Sequence, residues 1–256
     1  ATPQTLLNVA YGTDTLQKMD IYLPAGRNDT TTKVLIMIHG GGWNEGDKKD
    51  FTAYAEIFKV TLPEYAIFNI NYRLFKNSSN LFPAQENDVK KAIEFIYSNK
   101  NKYNISDKYV LLGASAGSHL ALLHAYKYPS PVKIKAVVDF FGPTELTEWY
   151  TNAPIPQIRQ LLDSVVGGTP ATKPLLYQQS SPLNFVTGQS PPTIILQGGK
   201  DILVPPSQSE LLKAKLESLG VVNQYVYYPD ENHGWLGDPL KDSFEKIVLF
   251  LRTNVQ

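Results

Sequence analysis

The chain has 256 residues, and its 24 lysines and arginines balance its 24 aspartates and glutamates. This balance gives no support for nucleic acid or an anionic membrane surface as a partner. The absence of cysteine excludes disulfides, thiol catalysis and cysteine-bound metals. No apolar run approaches the roughly 18 residues that cross a bilayer, so we expect no transmembrane segment. The length suits one α/β domain over residues 1–256.

The N-terminus is the only feature that bears on location. The chain starts at Ala1 instead of Met and has no signal-like apolar segment. This start favours a secreted or periplasmic protein from which a signal peptide has been removed. A cloning boundary explains the same start, and a cytoplasmic location stays open.

Short apolar runs separated by helical patterns predict a mostly parallel sheet. Leu6–Tyr11 and Met19–Leu23 flank Gly12-Thr13-Asp14, which indicates two antiparallel strands at the start. The uninterrupted apolar run Val34–Ile38 is typical of a strand covered on both faces, as in parallel sheets. Five later runs share this character: Tyr65–Ile70, Tyr109–Leu112, Ile134–Val138, Thr193–Leu196 and Tyr225–Tyr228.

Helical patterns alternate with these runs. Ala84–Ser98 carries an apolar stripe at helical spacing. Ser207 and Glu210 match a capping box for a helix through Leu219, with Gly220 as the expected stop. Asp238 and Pro239 are expected as the N-cap and first-turn residue of a final helix. The alternation predicts a doubly wound α/β fold with helices on both faces of the sheet.

Residues 142–192 interrupt this alternation, because they separate two predicted strands without a regular pattern. A connection of this length inside a compact domain is usually functional, as a lid or a pocket wall. An ordinary helical crossover with irregular ends is the alternative interpretation.

The sequence Gly113-Ala114-Ser115-Ala116-Gly117 lies between a predicted strand and a predicted helix, Ala116–Tyr128. In this context Gly-x-Ser-x-Gly is the nucleophile elbow, a tight and strained turn that presents the serine hydroxyl. We expect glycines at 113 and 117 because the strand and helix backbones approach too closely for a Cβ. Ser115 is therefore the predicted nucleophile.

The segment His39-Gly40-Gly41-Gly42-Trp43 directly follows the run Val34–Ile38. Three consecutive glycines cost backbone entropy, but they allow N–H groups to turn into a small cavity, as in the HGGG loop of esterases. The sequence lacks the patterns of a phosphate-binding glycine loop, which is the alternative. We therefore expect an oxyanion hole from three N–H groups, those of Gly41, Gly42 and Ala116. Trp43 N–H is a substitute within the loop, and His39 is expected to hold the loop in place.

Asp201 and His233 each follow a predicted strand, at the edge where parallel sheets collect their ligands. The chain order Ser115, Asp201, His233 is that of the α/β hydrolases. His233 is then the base, Asp201 orients its ring, and Ser115 attacks an ester carbonyl. This chemistry needs no metal and no organic cofactor.

Other acids and histidines compete for these roles. Asp230 and Glu231 are too close in sequence to His233 to orient its imidazole easily. His119 and His124 lie on the helix after the elbow, and we expect both to be structural.

With these residues placed, the chain resembles the α/β-hydrolase esterases of the hormone-sensitive-lipase and BD-FAE (feruloyl esterase-like) groups. The resemblance covers nearly the whole chain from Val34 onward. It is carried by several segments: His39–Trp43, Asn69–Leu74, Phe82–Ala84 with Asp88, Gly113–Leu120, Ser181–Leu183, Pro191–Thr193, Asp201–Ser209 and His233–Gly234.

Two departures favour the BD-FAE-like group. Ala114 stands where the hormone-sensitive-lipase pattern usually has an acid, and the short start before Val34 leaves no room for a helical cap. The resemblance implies a small or carbohydrate-linked ester substrate, with feruloyl or acetyl groups as the acyl part. An uncovered cleft is then expected to be lined by four aromatic residues, Trp43, Trp149, Tyr150 and Trp235. A role in core packing is the alternative interpretation for each of them.

Three hypotheses follow for the function. The first is a serine carboxylesterase, with a lipase-like short-chain esterase as a variant. The second is a related serine amidase or peptidase. The third is an inactive hydrolase that serves as a binding module, which the retention of Ser115, Asp201 and His233 argues against.

Overall fold

A computed structural model describes residues 1–256 and contains one eight-stranded sheet. The strands, numbered along the chain, are β1 (Gln4–Ala10), β2 (Lys18–Leu23), β3 (Lys33–Ile38), β4 (Tyr65–Ile70), β5 (Tyr109–Ala114), β6 (Ile134–Phe140), β7 (Thr193–Gly198) and β8 (Asn223–Tyr228). Their order in the sheet is β1-β2-β4-β3-β5-β6-β7-β8. The pairs β1–β2 and β2–β4 are antiparallel, and the others are parallel. The predicted antiparallel start and mostly parallel sheet are confirmed.

Helices lie on both faces of the sheet, as predicted. They are α1 (Thr52–Thr61), α2 (Ala84–Ser98), α3 (Lys100–Tyr103), α4 (Ala116–Lys127), α5 (Leu146–Thr151), α6 (Pro156–Val166), α7 (Pro174–Gln179), α8 (Pro206–Ser218) and α9 (Gly237–Asn254). Helices α1 and α9 supply one buried cluster, and α2, α4 and α8 supply another on the opposite face. None of the helices combines the length and the apolar character needed to cross a membrane.

Strand β3 shows how the sheet divides the core. Its residues from Val34 to Ile38 are all fully buried. They alternate between the two clusters, with Val34, Ile36 and Ile38 on the side of α4 and the others on the side of α9. Burial of such a side chain contributes about 1.5–3 kcal/mol. The carboxyl end of β3, where the glycine loop begins, is therefore firmly fixed.

The prediction that Tyr225–Tyr228 is covered on both faces is wrong. These residues belong to β8, the last strand of the sheet. Of this strand only Val226 is buried, and Tyr227 is 48% exposed. Tyrosine has a large apolar ring with a polar tip, so an edge strand rich in tyrosine has the same apolar pattern as a central one.

Two helix starts also differ from the predictions. Helix α8 begins at Pro206, whose fixed φ suits a first helical position, so Ser207 lies inside the first turn and does not cap it. Helix α9 begins at Gly237, which places Asp238 in the first turn instead of at the N-cap. A carboxylate there still faces the positive end of the helix dipole. The end of α8 before Gly220 agrees with the prediction, and this glycine has a φ of 68°.

The long connection over residues 142–192 forms α5, α6, α7 and a 3-10 turn at Pro182–Phe185. Leu146, Trp149 and Leu162 from this segment are buried in the same cluster as α4. We refer to residues 142–192 as the insert. It packs at the carboxyl edge of the sheet as a wall, while its movement as a lid stays a prediction.

Asp88 in α2 fixes the chain that leaves β4. Its side chain is 1% exposed and accepts bonds from Arg73 Nε at 2.9 Å and Nη2 at 2.8 Å. The Arg73 backbone N–H and Gln17 Nε2 also donate to this carboxylate, each at 2.8 Å. Because all these groups meet on one carboxylate, the motif Asn69–Leu74 and α2 are held together.

Candidate active site

The elbow occupies the junction of β5 and α4. Ser115 has a φ of 56° and a ψ of −120°, a conformation that costs an L-residue about 1–3 kcal/mol. Its N–H donates to Phe140 O at 2.9 Å, and its carbonyl accepts from His119 N–H at 3.0 Å. These bonds keep the serine at the top of a sharp turn, as the motif predicts.

Close backbone approach accounts for the two glycines of the elbow. A Cβ on Gly113 would lie 2.4 Å from the carbonyl carbon of Gly117. A Cβ on Gly117 would lie 2.0 Å from Ile38 O and 2.3 Å from His39 O. Any side chain would therefore push α4 away from β5 or β3, which confirms the predicted reason for both glycines.

Ser115, His233 and Asp201 lie in one hydrogen-bonded chain. His233 Nε2 is 2.9 Å from Ser115 Oγ, and His233 Nδ1 is 2.6 Å from Asp201 Oδ2. Because a carboxylate only accepts, Nδ1–H donates to Asp201 and Nε2 accepts from the serine hydroxyl. The side chain of Asp201 is fully buried, and that of His233 is 19% exposed. The imidazole of His233 is thus open to a ligand on one side and held by Asp201 on the other.

The competing residues do not lie in this chain of bonds. The side chain of Asp230 is 88% exposed and is 3.8 Å from Lys200. His119 and His124 are both buried, and burial lowers the pKa of His119 to about 4 and that of His124 to about 3. His119 accepts from Trp43 Nε1 at 3.2 Å. This placement agrees with the structural role predicted for the two histidines.

The glycine loop after β3 has an unusual backbone. Gly41, Gly42 and Trp43 all have positive φ values, of 121°, 60° and 62°. The N–H groups of Gly41, Gly42 and Ala116 donate to no other atom of the chain, and these three residues line the same cavity as Ser115. Such unpaired donors are what an oxyanion requires.

His39 contacts this loop through its ring and is held by Tyr72. Its ring stacks on Tyr72 with centroids 4.4 Å apart, and Nδ1 lies 2.6 Å from Gly40 O. The hydroxyl of Tyr72 donates to His39 O at 2.7 Å. Burial lowers the pKa of His39, so the ring is neutral and serves the loop, as expected.

Asp139 is a second buried carboxyl close to the elbow, and no motif marked it beyond its place near the end of β6. It is fully buried and accepts from the Ser118 hydroxyl and, at 2.9 Å, from Gly142 N–H. Burial raises the pKa of Asp139 to about 7 although both bonds oppose the shift. The residue joins α4, β6 and the first residue of the insert.

A cavity of about 810 Å³ opens over Ser115. All three predicted tryptophans line it, with Trp43 and Trp149 on one side of the sheet edge and Trp235 on the other. Tyr150 does not line the cavity, because its hydroxyl is turned to Asp163 at 2.9 Å. The cavity therefore crosses the sheet edge and joins the two halves of the core.

Sequence reasoning missed most of the remaining wall. Phe141 lies beside the imidazole of His233, with ring centroids 4.4 Å apart. Its place just after β6 was a signal, since ligands gather at that edge. Phe51, Tyr54 and Leu161 come from other segments that line the cavity, and no motif marks them.

Comparison with known proteins identifies the family. The model of the BD-FAE family matches residues 19–216, which is more than half of the chain. The chain belongs to the BD-FAE family. The BD-FAE match includes the glycine loop, the elbow and Asp201, while His233 lies beyond its end.

The relatives of this BD-FAE chain include longer proteins. It is 28% identical over 214 residues to "Esterase LipQ" of Mycobacterium tuberculosis, with 79% of this chain and 50% of LipQ aligned. The chain spans about half the length of the curated relatives it matches.

Solved structures show the same α/β-hydrolase fold. "Bifunctional GH43-CE" of Bacteroides eggerthii superposes with a TM-score of 0.82 at 26% identity, covering 97% of this chain and 35% of that protein. A "truncated form of carbohydrate esterase from gut microbiota" gives a TM-score of 0.83 at 24% identity, covering 98% and 96%. The predicted α/β-hydrolase fold of this BD-FAE member is thereby confirmed.

Proposed function

We propose that the chain is a serine carboxylic-ester hydrolase. The observation that carries this proposal is the chain of hydrogen bonds from Asp201 through His233 to Ser115, which ends in an open cavity. Family membership supports it, and so does the name esterase that LipQ bears. The roles assigned to the three residues are part of the proposal.

The reaction starts with acylation of Ser115. His233 Nε2 takes the hydroxyl proton as Oγ attacks the ester carbonyl carbon. The carbonyl oxygen becomes an oxyanion, which accepts hydrogen bonds from the free N–H groups of Gly41, Gly42 and Ala116. The positive end of α4 adds to this stabilisation. Asp201 keeps Nδ1 protonated and stabilises the imidazolium.

Deacylation repeats the same proton path with water. The tetrahedral intermediate expels the alcohol, which takes its proton from His233 Nε2, and the acyl group stays on Ser115. A water molecule then gives a proton to His233 and attacks the acyl carbonyl. The carboxylic acid leaves, and Oγ recovers its proton. The cycle uses no metal and no cofactor.

We extend the proposal to a carbohydrate-linked ester with an acetyl or feruloyl acyl group. Trp43, Trp149 and Trp235 give the cavity aromatic walls, which suit an aromatic acid or the apolar face of a sugar. Asn44 and Gln157 are exposed residues that also line the cavity, and their amides can bond sugar hydroxyls. The carbohydrate esterase with this fold supports the same substrate class.

The test is a panel of p-nitrophenyl acetate, longer acyl esters, methyl ferulate, acetylated xylan and a peptide anilide. We expect turnover of the acetyl or feruloyl esters. Ser115→Ala and His233→Ala lower kcat by about 10⁶-fold, and Asp201→Asn by about 10⁴-fold. Wild-type protein that hydrolyses no ester, or an active Ser115→Ala variant, refutes the proposal. Preference for long acyl chains indicates a lipase-like esterase, and preference for the anilide an amidase.

Matched controls come from exposed residues of the same types. Ser207 is exposed on α8, and the Asp230 side chain is 88% exposed. Ser207→Ala and Asp230→Asn should retain wild-type kcat and KM. Loss of activity in either control would show that serine or aspartate changes act through general destabilisation.

A further inference from the structure

The loop that carries Asp201 is a tight turn closed by its own side chain. Asp201 Oδ1 accepts from Leu203 N–H and from Val204 N–H, both at 2.9 Å. The other oxygen, Oδ2, is left for His233 Nδ1. The direction of the carboxylate therefore depends on where the peptide units after Asp201 are held.

One of these peptide units is bonded at both ends. In the unit between Leu203 and Val204, the N–H donates to Asp201 Oδ1 and the carbonyl accepts from Trp149 Nε1–H, each at 2.9 Å. A peptide that accepts at one end becomes a stronger donor at the other. Trp149 thus reaches the carboxylate of Asp201 through a single peptide group.

Trp149 is well placed to hold that group. It lies on α5 in the insert and is 3% exposed. Its indole makes the only hydrogen bond between the insert and residues 199–205. The ring itself lines the cavity and packs against Trp43, with centroids 6.2 Å apart.

Strand β7 supports the loop, and α8 supports the insert that carries Trp149. Gln197 at the end of β7 is fully buried, and its Nε2 donates to Val204 O at 3.1 Å. Gln208 in α8 accepts from the N–H groups of Thr144 and Glu145 at 2.8 and 2.9 Å. The insert is thereby anchored to α8 at its start, so the indole of Trp149 bonds the loop from a fixed position.

We infer that Trp149 is a positioning residue for Asp201 as well as a wall of the cavity. This inference rests on the proposed function. A residue that only lined the cavity would act on substrate binding alone. Trp149 acts also on how Asp201 holds His233, because its indole N–H fixes the peptide that donates to the carboxylate. Acyl-group selection by the wall and proton transfer at His233 are then coupled through one side chain.

Trp149→Phe keeps an aromatic ring in the cavity wall but replaces the indole by a phenyl ring without an N–H donor. Loss of one neutral hydrogen bond corresponds to about a fivefold to tenfold change. With p-nitrophenyl acetate, we expect kcat to fall by that factor with a smaller change in KM. The acidic limb of the kcat/KM profile moves to lower pH, because a loosened Asp201 stabilises the imidazolium less.

A double-mutant cycle separates positioning from wall contact. In an Asp201→Asn background, Trp149→Phe should change kcat by less than about twofold. The carboxylate that Trp149 positions against His233 Nδ1 is already absent in that background. Equal factors in both backgrounds, with a raised KM and an unchanged pH profile, would overturn the inference. Trp149→Met also lacks a donor and repeats the cycle if the phenylalanine variant does not fold.

A spectroscopic readout keeps this inference separate from the proposed function. The His233 Nδ1 proton bonded to Asp201 should give a low-field proton resonance in the wild type. In Trp149→Phe we expect this resonance to move upfield or to exchange faster with water. An unchanged resonance would refute the positioning role even if no ester were hydrolysed, whereas an inactive wild type would refute only the proposed function.

Discussion

Gly117→Ala tests whether the contact between α4 and β3 sets the geometry of the elbow. The added Cβ would lie 2.0 Å from Ile38 O and 2.3 Å from His39 O. Both oxygens belong to backbone that cannot rotate away. Helix α4 must therefore move from β3 by about 1 Å, and Ser115 moves with the start of the helix, out of line with His233.

The displacement affects both stability and rate. Overpacking a close contact costs about 1–3 kcal/mol, which for a chain of this size lowers Tm by roughly 5 °C. A displacement of about 1 Å at a reacting group lowers the rate by about 100-fold. We therefore expect kcat/KM for p-nitrophenyl acetate to fall about 100-fold while most of the protein stays folded at 25 °C.

The assay compares Gly117→Ala with Gly188→Ala, which has the same change in composition. The nearest atom to a Cβ at 188 is Leu219 O at 3.7 Å, an ordinary contact. The control should keep the wild-type kcat/KM and Tm. If Gly117→Ala also kept both values, the contact between α4 and β3 would not be what fixes Ser115.

Three further predictions follow from buried groups. Tyr72→Phe leaves the carbonyl of His39 without its hydroxyl donor. We expect the free energy of unfolding in urea to fall by about 1–3 kcal/mol and kcat to fall as well. Unchanged values of both would contradict the role of Tyr72. Asp88→Ala removes the partner of Arg73 and should lower the free energy of unfolding by about 3 kcal/mol. A decrease of less than about 1 kcal/mol would contradict this role of the ion pair. Burial raises the pKa of Asp139 to about 7, so the folded state keeps a proton that the unfolded state has lost above about pH 4. The unfolding free energy supplied by this group therefore falls by about 2 kcal/mol between pH 5 and pH 7 and becomes constant only above about pH 8. Asp139→Asn should lack this fall in pH-dependent urea titrations, and an identical pH dependence in both proteins would contradict it.

The sequence was informative where local patterns determine the structure. The runs at Val34–Ile38 and Tyr109–Leu112 became buried central strands because each is apolar without interruption. The elbow was predictable because each of its two glycines is only two positions from Ser115. Asp201 and His233 could be placed because each follows a strand, although neither lies near Ser115 in the sequence.

Other features depend on packing between distant segments and left no local mark. Helix α1 was not predicted, because Val60 is 79% exposed and Ile57 37%, and such exposed apolar residues obscure a helical stripe. The bond from Trp149 to Leu203 links an irregular insert to a loop more than fifty residues away. Export of the protein and movement of the insert stay predictions.

The wide spacing of Ser115 and His233 has a consequence for how the protein folds. The two residues are 118 positions apart in the sequence, and such non-local contacts form late and slowly. Strand β8 lies at the edge and joins the sheet only through β7, so the loop with His233 reaches its place only after β7 has paired with β6. Hydrolysis followed during refolding would therefore report completion of the last strand. An enzyme assay during refolding would therefore measure the rate of the last folding step.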